Sequence, residues 1–182
     1  MKREHLQHII RAASEICEEP DFVIIGSQAI HGSLDDVAEA ELVRSVEADL
    51  YPLYAPAKSE LLNEIGEFSQ FHTTHGYYAD GVDDKTATLP AYWQDRVLRI
   101  SGPLTQTRPG FEAKGWCPEL HDLVISKLVA GRNKDIAFFR TLVRMGKLSR
   151  ATLLERLADT RLEPARRRIV ASHIEAALGA DA

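Results

Sequence analysis

Hydrophobic residues recur at helical spacing near the start of the chain and then give way to short apolar runs. Leucine, isoleucine and alanine return every three or four positions within residues 5–17, which predicts an amphipathic helix. The apolar run 22–25 ends at Gly26 and Ser27, and a further helix is predicted to begin near Gln28. The pattern therefore predicts a helix followed by a strand, a Gly-Ser turn and another helix.

The next segments have mixed character. Residues 34–45 are acidic and are predicted to be helical in part, and residues 46–51 favour a short strand that stops at Pro52. Apolar residues within 57–68 fall at helical spacing, which predicts a helix. A second strand is therefore expected close behind the first, with helices around it.

The middle of the chain predicts turns and short strands. Residues 71–90 are rich in glycine, aspartate, threonine and aromatic residues, and Gly81 is expected in a hairpin turn. Further strands are expected over residues 96–101 and 111–116.

The C-terminal third contains only helical periods. They cover residues 120–131, 136–145, 149–158 and 164–178. Gly131 and Gly146 stand where helix C-caps are expected. The chain is therefore predicted to be α/β, of the α+β kind, with a small mixed sheet flanked by helices and a C-terminal helical bundle. We expect an α/β core over residues 1–117 and a helical region over 118–182, packed as one unit.

Composition narrows the classes of partner. The 182 residues carry a formal net charge of -5, which argues against nucleic-acid binding driven by net charge and favours a small-molecule or protein substrate. No stretch approaches the roughly 20 apolar residues that a membrane helix needs, so we expect a soluble, cytoplasmic protein without a membrane partner. Cys17 and Cys117 have no second thiol or histidine at zinc-ligand spacing, which predicts two reduced structural thiols.

The strongest candidate for chemistry is a pair of acidic residues two positions apart. If residues 46–51 form a strand beside 22–25, alternation sends Glu47 and Asp49 to one face, where two carboxylates can hold a divalent metal. The nearby Gly-Ser turn offers backbone N–H groups and a hydroxyl to phosphates. Acids at alternate positions are also typical of a solvated strand face. The combination with the turn favours nucleotide chemistry.

These residues resemble a known signature. Gly26-Ser27, followed by the strand that contains Glu47 and Asp49, resembles the turn and acidic-x-acidic strand of the nucleotidyltransferase superfamily. The stretch 121–135 resembles the helical region of bacterial nucleotidyltransferase-like proteins, a group that includes toxins of toxin–antitoxin systems.

The resemblance implies a mixed sheet with flanking helices and a transferase site. It implies transfer of a nucleoside monophosphate from NTP to a hydroxyl on protein, RNA or a small molecule, with Mg²⁺ or Mn²⁺. Glu47 and Asp49 would be the catalytic residues and the metal ligands. The implied nucleotide-binding residues are Gly26, Ser27, Arg44, Lys127 and Lys134.

Two departures from the superfamily pattern concern the acidic pair. Glu47 stands where aspartate is more usual, and its longer side chain shifts the metal or requires a different backbone placement. The separation from Ser27 is also longer than usual, and an alternative pair, Glu39 and Glu41, lies nearer the common distance. Glu47 and Asp49 are preferred because residues around them favour a strand, whereas residues 38–42 favour a helix.

The third carboxylate of the superfamily is not obvious in this sequence. Glu112 has the best strand context, and Asp80 comes next because Gly81 beside it favours a turn. Other acids in this part of the chain are Asp83, Asp84 and Asp95. Without a third acid, the fold would be retained with weak or absent catalysis.

Several basic and aromatic residues allow two interpretations each. Lys127, Arg132 and Lys134 form either a solvated helix face or a site for the pyrophosphate leaving group. His72, His75 and nearby aromatic residues form either a ligand cluster or a hairpin core. The basic run 166–168 is expected on a solvent face, with RNA binding as the alternative.

The leading hypothesis is a metal-dependent nucleotidyltransferase. The alternative is a catalytically degenerate module of the same fold that binds nucleotide or protein, for example one component of a toxin–antitoxin pair with an antitoxin-like partner. A third possibility is a structural α/β domain whose acids are incidental.

Overall fold

The computed structural model describes residues 1–35, 37, 39–109 and 111–179. It is a mixed α/β structure whose five-stranded sheet is flanked by helices and followed by further helices at the C-terminus, which confirms the predicted fold class. The helices are α1 (Arg3–Cys17), α2 (Ala40–Val43), α3 (Gln70–His75), α4 (Leu120–Ala130), α5 (Asn133–Arg144), α6 (Arg150–Ala158) and α7 (Pro164–Leu178). The strands are β1 (Asp21–Ile25), β2 (Glu47–Pro52), β3 (Tyr78–Gly81), β4 (Leu98–Ile100), β5 (Gln106–Arg108), β6 (Phe111–Glu112) and β7 (Lys114–Cys117).

The main sheet has the order β3-β2-β1-β7-β4. β1 lies at its centre, antiparallel to β2 and parallel to β7, and β2 is parallel to β3. β4 completes the other edge, antiparallel to β7, while β5 and β6 form a separate two-stranded sheet. This order brings the predicted turn after β1 beside the acidic strand β2 and places β3 on the far side of β2.

Three segments differ from the helices that periodicity predicts. The segment expected to become a helix near Gln28 is a 3₁₀ helix over Ser27–Gly32, and the helix expected over 57–68 is a 3₁₀ helix over Pro56–Ile65. The helix within 34–45 is limited to Ala40–Val43, and residues 36 and 38 of that prediction lie outside the described residues. In the second segment the apolar spacing located the buried Leu62 and Ile65, but Leu61 and Phe68 are exposed, and the spacing did not distinguish the tighter helix type.

The prediction of a hairpin turn at Gly81 is wrong. Gly81 ends β3 and pairs with Leu50 of β2. A side chain at this position would place its Cβ only 2.2 Å from the backbone oxygen of Ser59 in the 3₁₀ segment behind the sheet. The glycine is therefore explained by close packing on a strand and not by a turn.

The main hydrophobic cluster packs helices against one face of the sheet, and a smaller cluster of Val23, Ile25 and Tyr51 lies on the other face. Members include Leu6 and Ile10 of α1, Ile24 of β1, Phe139 of α5 and Ile174 of α7, all almost fully buried.

The division of the chain at 117/118 stays a prediction, and residues 180–182 of its second part lie outside the described residues. Cys17 and Cys117 are buried and free. Among the described residues, no helix combines the length and the hydrophobicity that crossing a bilayer requires.

The C-terminal helices are fastened by arginines bound to buried oxygens. Asp122 of α4 is fully buried and accepts two hydrogen bonds from Arg96, each 2.9 Å long, while Arg156 of α6 forms an ion pair with it at 3.3 Å. Arg166 donates to the backbone oxygen of Val129, and Arg167 donates to backbone oxygens at the end of α6 and just after it. Two of the three arginines in the run 166–168 are therefore used to cap helices.

Candidate active site

The acidic pair lies on one face of β2, as alternation predicts, and β3 adds a third carboxylate beside it. In the parallel pairing of β2 with β3, Glu47 is opposite Tyr78 and Asp49 is opposite Asp80. Directly opposed residues of neighbouring strands project to the same face of a sheet. The sheet therefore presents Glu47, Asp49 and Asp80 together.

Gly26 is required by the position of Asp49. β1 and β2 pair so that Ile25 is opposite Asp49, which brings the carboxylate over the residue that follows β1. Gly26 has a φ of 68°, and a Cβ at this position would lie 1.7 Å from Oδ2 of Asp49. Only glycine combines this backbone conformation with so close an approach, so the turn and the carboxylate form one unit.

The electrostatic environment of Asp49 opposes its ionisation. Burial raises its pKa to about 6, with further contributions from Glu47 and Asp80, and Lys127 and Lys134 only partly offset them. Asp80 is exposed, but partial desolvation still raises its pKa, with further contributions from Glu47 and Glu67. A divalent cation bound to these carboxylates would stabilise their ionised forms and relieve the repulsion between them.

Glu47 is held by partners on both sides. The hydroxyl of Tyr78 donates to Oε2 of Glu47 at 3.2 Å, and Nζ of Lys134 lies 3.9 Å from Oε1. Burial and the negative charge of Glu47 raise the pKa of Tyr78 to about 12, so the hydroxyl keeps the proton that it donates. These contacts fix the longer side chain that distinguishes Glu47 from the usual aspartate.

Lys127 is an internal cation that ties the Gly-Ser turn to the C-terminal helices. Its side chain is almost fully buried, donates to Oγ of Ser27 at 2.9 Å and lies 3.4 Å from Oδ1 of Asp135. Burial lowers its pKa, while Asp135 and Asp49 oppose that effect. The interpretation of Lys127 as part of a solvated helix face is therefore wrong.

The other cations near the site are Arg132, which is bound to Asp135, and the exposed Lys134 and Arg44. Arg132 donates to Asp135 at 2.7 Å, and its backbone N–H is also bound by that carboxylate at the start of α5. Lys134 and Arg44 are largely exposed and line the same small cleft. Arg132 is as exposed as Lys134 and lines the larger cleft, so all three cations are accessible from the clefts.

Two clefts meet at the Gly-Ser turn. The larger, of about 360 Å³, has Gly26 and Asp49 on its sheet side, Leu123 and Lys127 of α4 opposite them, and Thr86 and Thr88 at its rim. The smaller, of about 200 Å³, lies between Ser27, Arg44 and Lys134. Each cleft has two cations in its lining, Lys127 and Arg132 in the larger and Arg44 and Lys134 in the smaller, so a ligand with negatively charged groups fits this arrangement.

The structure does not bring every candidate acid to this place. Glu112 lies in β6, in the separate two-stranded sheet, and pairs with Gln106. Glu39 and Glu41 are at the start of α2 and within it, as the helical preference of that segment predicts, and Glu41 lines the smaller cleft. Asp83 accepts hydrogen bonds from Thr86 and from the Lys85 N–H in a local turn. Asp80 is thus the later acid that stands beside the pair.

The histidines separate into two groups. His75 packs with His8, Phe71 and Tyr77 between α1 and α3. The ring centroids of His8 and His75 are 4.7 Å apart. The ring of His72 instead packs on Tyr78, at 4.6 Å. Among the described residues, no group of three or more His, Cys, Asp or Glu side chains is arranged to hold a metal ion by itself.

Sequence reasoning missed Tyr78 and the threonines at residues 86 and 88. Tyr78 was placed in a hairpin core because β3 was not recognised as a strand parallel to β2. The signal was present, since Tyr78 and Asp80 alternate as Glu47 and Asp49 do. The threonines precede no recognisable motif, and nothing in their spacing indicates a cleft.

Comparisons with known proteins give one family. Neither the search of curated proteins nor the search of solved structures finds a match. A family model described as a nucleotidyltransferase of unknown function, DUF6036, matches residues 4–169. The chain belongs to this nucleotidyltransferase family.

Proposed function

We propose that the protein transfers a nucleoside monophosphate from NTP to a hydroxyl group, with Mg²⁺ or Mn²⁺ held by Glu47 and Asp49. The observation that carries this proposal is the placement of Asp49 against Gly26 and directly opposite Asp80. A carboxylate pair beside a glycine turn supplies metal ligands next to a site for phosphate.

The donor set fits the metal. Mg²⁺ in nucleotide sites is bound by one or two carboxylates together with substrate phosphates, so Glu47 and Asp49 can supply the ligands from the protein. When bound, such a cation neutralises charge on the triphosphate and polarises the α-phosphate. Tyr78 and Lys134 hold the carboxylate of Glu47 for this purpose.

The two clefts support a proposed placement of the nucleotide. Gly26 and Ser27 present the turn to the phosphates, and Lys134 and Arg44 line the smaller cleft where the leaving pyrophosphate would be stabilised. Lys127 holds the Ser27 hydroxyl in place and adds positive charge beside Asp49. The larger cleft, with its apolar wall and two threonines, receives the nucleoside.

Asp80 is the proposed general base. An acceptor oxygen forms a bond to the α-phosphorus, the bond from that phosphorus to the bridging oxygen breaks, pyrophosphate leaves, and the hydroxyl proton passes to Asp80. Its raised pKa favours accepting that proton.

Pyrophosphate release from ATP, GTP, CTP and UTP with Mg²⁺ tests the proposal, with water as the acceptor. We expect Asp49→Asn and Asp80→Asn each to lower the rate by about a hundredfold or more. Glu112→Gln is the matched control and should retain the wild-type rate, because Glu112 lies in the other sheet. Equal rates in Asp49→Asn and wild type would refute the proposal.

A nucleotide-binding module without transfer is the second candidate. It is favoured by the lack of three converging ligands among the described residues. Binding of Mg²⁺ and a non-hydrolysable NTP, combined with no pyrophosphate release from any NTP, identifies this case. A role as one component of a toxin–antitoxin pair, with an antitoxin-like partner, stays a prediction from the resemblance.

A further inference from the structure

We propose that the acceptor is a serine, threonine or tyrosine hydroxyl on a basic polypeptide segment, which reaches Asp80 across an open surface of Phe68, His72 and Tyr78. These three residues are called the aromatic shelf. The inference rests on the proposed function and names the substrate class of the same site.

The aromatic shelf connects solvent to the catalytic acids by direct contacts. The backbone N–H of Phe68 donates to Nδ1 of His72 at 3.1 Å. The ring of His72 packs on that of Tyr78, and the Tyr78 hydroxyl donates to Glu47. A segment lying on the aromatic shelf would therefore have its hydroxyl groups within reach of Glu47 and Asp80.

Phe68 has features that packing does not explain. Its side chain is 86% exposed, so burial contributes little to its free energy. Its φ is 65°, a left-handed conformation that costs a residue other than glycine about 1 kcal/mol or more. An exposed aromatic ring on a strained backbone gains nothing for folding, which favours a role in binding.

Charge separates the two sides of the site. Lys127 and Lys134 act on Asp49, on the side of α4 and α5. On the other side, Glu47 and Glu67 add negative charge at Asp80. Glu47 is paired with Lys134, but among the described residues no lysine or arginine forms an ion pair with Asp80 or Glu67. This negative surface repels the phosphates of a nucleic acid and attracts a basic segment.

The shape of the surface favours a segment of polypeptide over a small molecule. Neither cleft at the carboxylates is lined by a residue of the aromatic shelf. Phe68 and Asp80 are exposed, so the surface is open and not enclosed. Small molecules are bound in concave pockets, whereas an extended segment binds along an open surface.

The transfer step follows from this placement. The side-chain oxygen of the segment bonds to the α-phosphorus of NTP, and the bond to the bridging oxygen breaks. Pyrophosphate leaves toward Lys134, the hydroxyl proton passes to Asp80, and the segment carries a nucleotide in phosphodiester linkage.

The test measures transfer from NTPs labelled in the α-phosphate to three probes. The probes are a random copolymer of lysine and tyrosine, a random copolymer of glutamate and tyrosine, and a single-stranded oligoribonucleotide. We expect the lysine–tyrosine copolymer to be labelled about tenfold faster than either other probe, as charge complementarity predicts. Equal or faster labelling of the oligoribonucleotide or of the glutamate copolymer overturns the inference.

Two variants with a matched control locate the effect. Glu67→Lys should lower labelling of the lysine–tyrosine copolymer about fivefold through reversed charge near Asp80. Glu64→Lys, another exposed acid of the same region, should leave it unchanged. Phe68→Gly keeps the backbone conformation, removes the ring and should lower labelling without lowering stability. Equal labelling by Glu67→Lys and Glu64→Lys contradicts the inference.

Pyrophosphate release into water separates this inference from the proposed function. Phe68→Gly and Glu64→Lys should retain the wild-type rate of release, because neither residue lines a cleft at the carboxylates. Glu67→Lys changes the charge beside Asp80, so its labelling is divided by its own rate of release, and the fivefold loss should remain in this ratio. Release without labelling of any probe overturns the acceptor inference alone. Failure of the wild type to release pyrophosphate from any NTP overturns both.

Discussion

Asp49 and Asp122 are aspartates removed from solvent to different degrees and set in opposite electrostatic environments. Asp122 is fully buried and has two arginines bound to its oxygens. Asp49 lies beside Glu47 and Asp80, and burial and these acids raise its pKa to about 6. Asp122 is thus satisfied within the fold, whereas Asp49 is left with unbalanced negative charge.

The different charge partners of Asp122 and Asp49 separate structural from functional acids in this fold. A buried charge that is paired on every side is retained because it joins elements, here α4, α6 and the segment before β4. A carboxylate held among like charges lowers the free energy of unfolding, so its presence is not explained by stability. Binding of a cation explains it. Charge balance around each acid therefore predicts which substitution affects stability and which affects activity.

The largest effect on stability is expected from Asp122→Ala. The substitution leaves Arg96 and Arg156 without their buried partner and should lower the free energy of unfolding by about 3–5 kcal/mol. Urea unfolding measures this, with the exposed Asp95→Ala as control, expected to change it by less than about 0.5 kcal/mol. Similar losses in the two variants would show that the Asp122 pairs are not structural.

A smaller loss is expected from Gly26→Ala, together with a loss of activity. Its positive φ and the 1.7 Å approach of Asp49 should lower the free energy of unfolding by about 2–3 kcal/mol. Displacement of the Asp49 carboxylate should also slow pyrophosphate release by about a hundredfold.

Gly146→Ala is the matched control for Gly26→Ala. Gly146 has a similar φ of 64°, but a Cβ there has nothing within 4 Å. It should cost only about 1 kcal/mol and leave the rate unchanged. Full activity in Gly26→Ala would contradict the link between the turn and Asp49.

A still smaller effect concerns the dependence of stability on pH. Because the pKa of Asp49 is raised from 3.8 to about 6 in the folded state, the folded chain binds its proton more tightly than the unfolded chain. Asp49 therefore lowers stability as pH rises from about 4 to about 6, by up to about 3 kcal/mol before solvent screening reduces it, and this cost persists above pH 6.

Asp49→Asn isolates this contribution. Urea unfolding at pH 4 and at pH 8 should show a smaller fall in stability for Asp49→Asn than for the wild type. At pH 8 the variant should be the more stable of the two, because it carries no ionised group at this position. Parallel losses in the two proteins would mean that Asp49 is not held in an unfavourable environment.

The sequence predicted the elements whose pattern depends on local spacing. The helices of the C-terminal third, strand β1 and the common face of Glu47 and Asp49 all follow from periodicity. Glu47 and Asp49 are preferred to Glu39 and Glu41 because the residues around the first pair favour a strand. The structure has β2 at the first pair and α2 at the second.

The rest depended on contacts between distant segments. Alternation of Tyr78 and Asp80 indicates a strand, but it does not favour Asp80 over Glu112, because that choice rests on which strand pairs with β2, and pairing is not encoded in local spacing. Gly81 was misread for the same reason, since its close neighbour is the backbone of Ser59. Lys127 could not be recognised as internal without the packing of α4 on the Gly-Ser turn.

Titration calorimetry with Mg²⁺ and a non-hydrolysable NTP tests the central claim most directly, that Asp49 is kept in an unfavourable environment because it holds a metal with the nucleotide. We expect Mg²⁺-dependent binding by the wild type and by Glu112→Gln, and affinity about tenfold weaker or more in Asp49→Asn. Equal affinity in Asp49→Asn and the wild type, or binding that is the same without Mg²⁺, would contradict it.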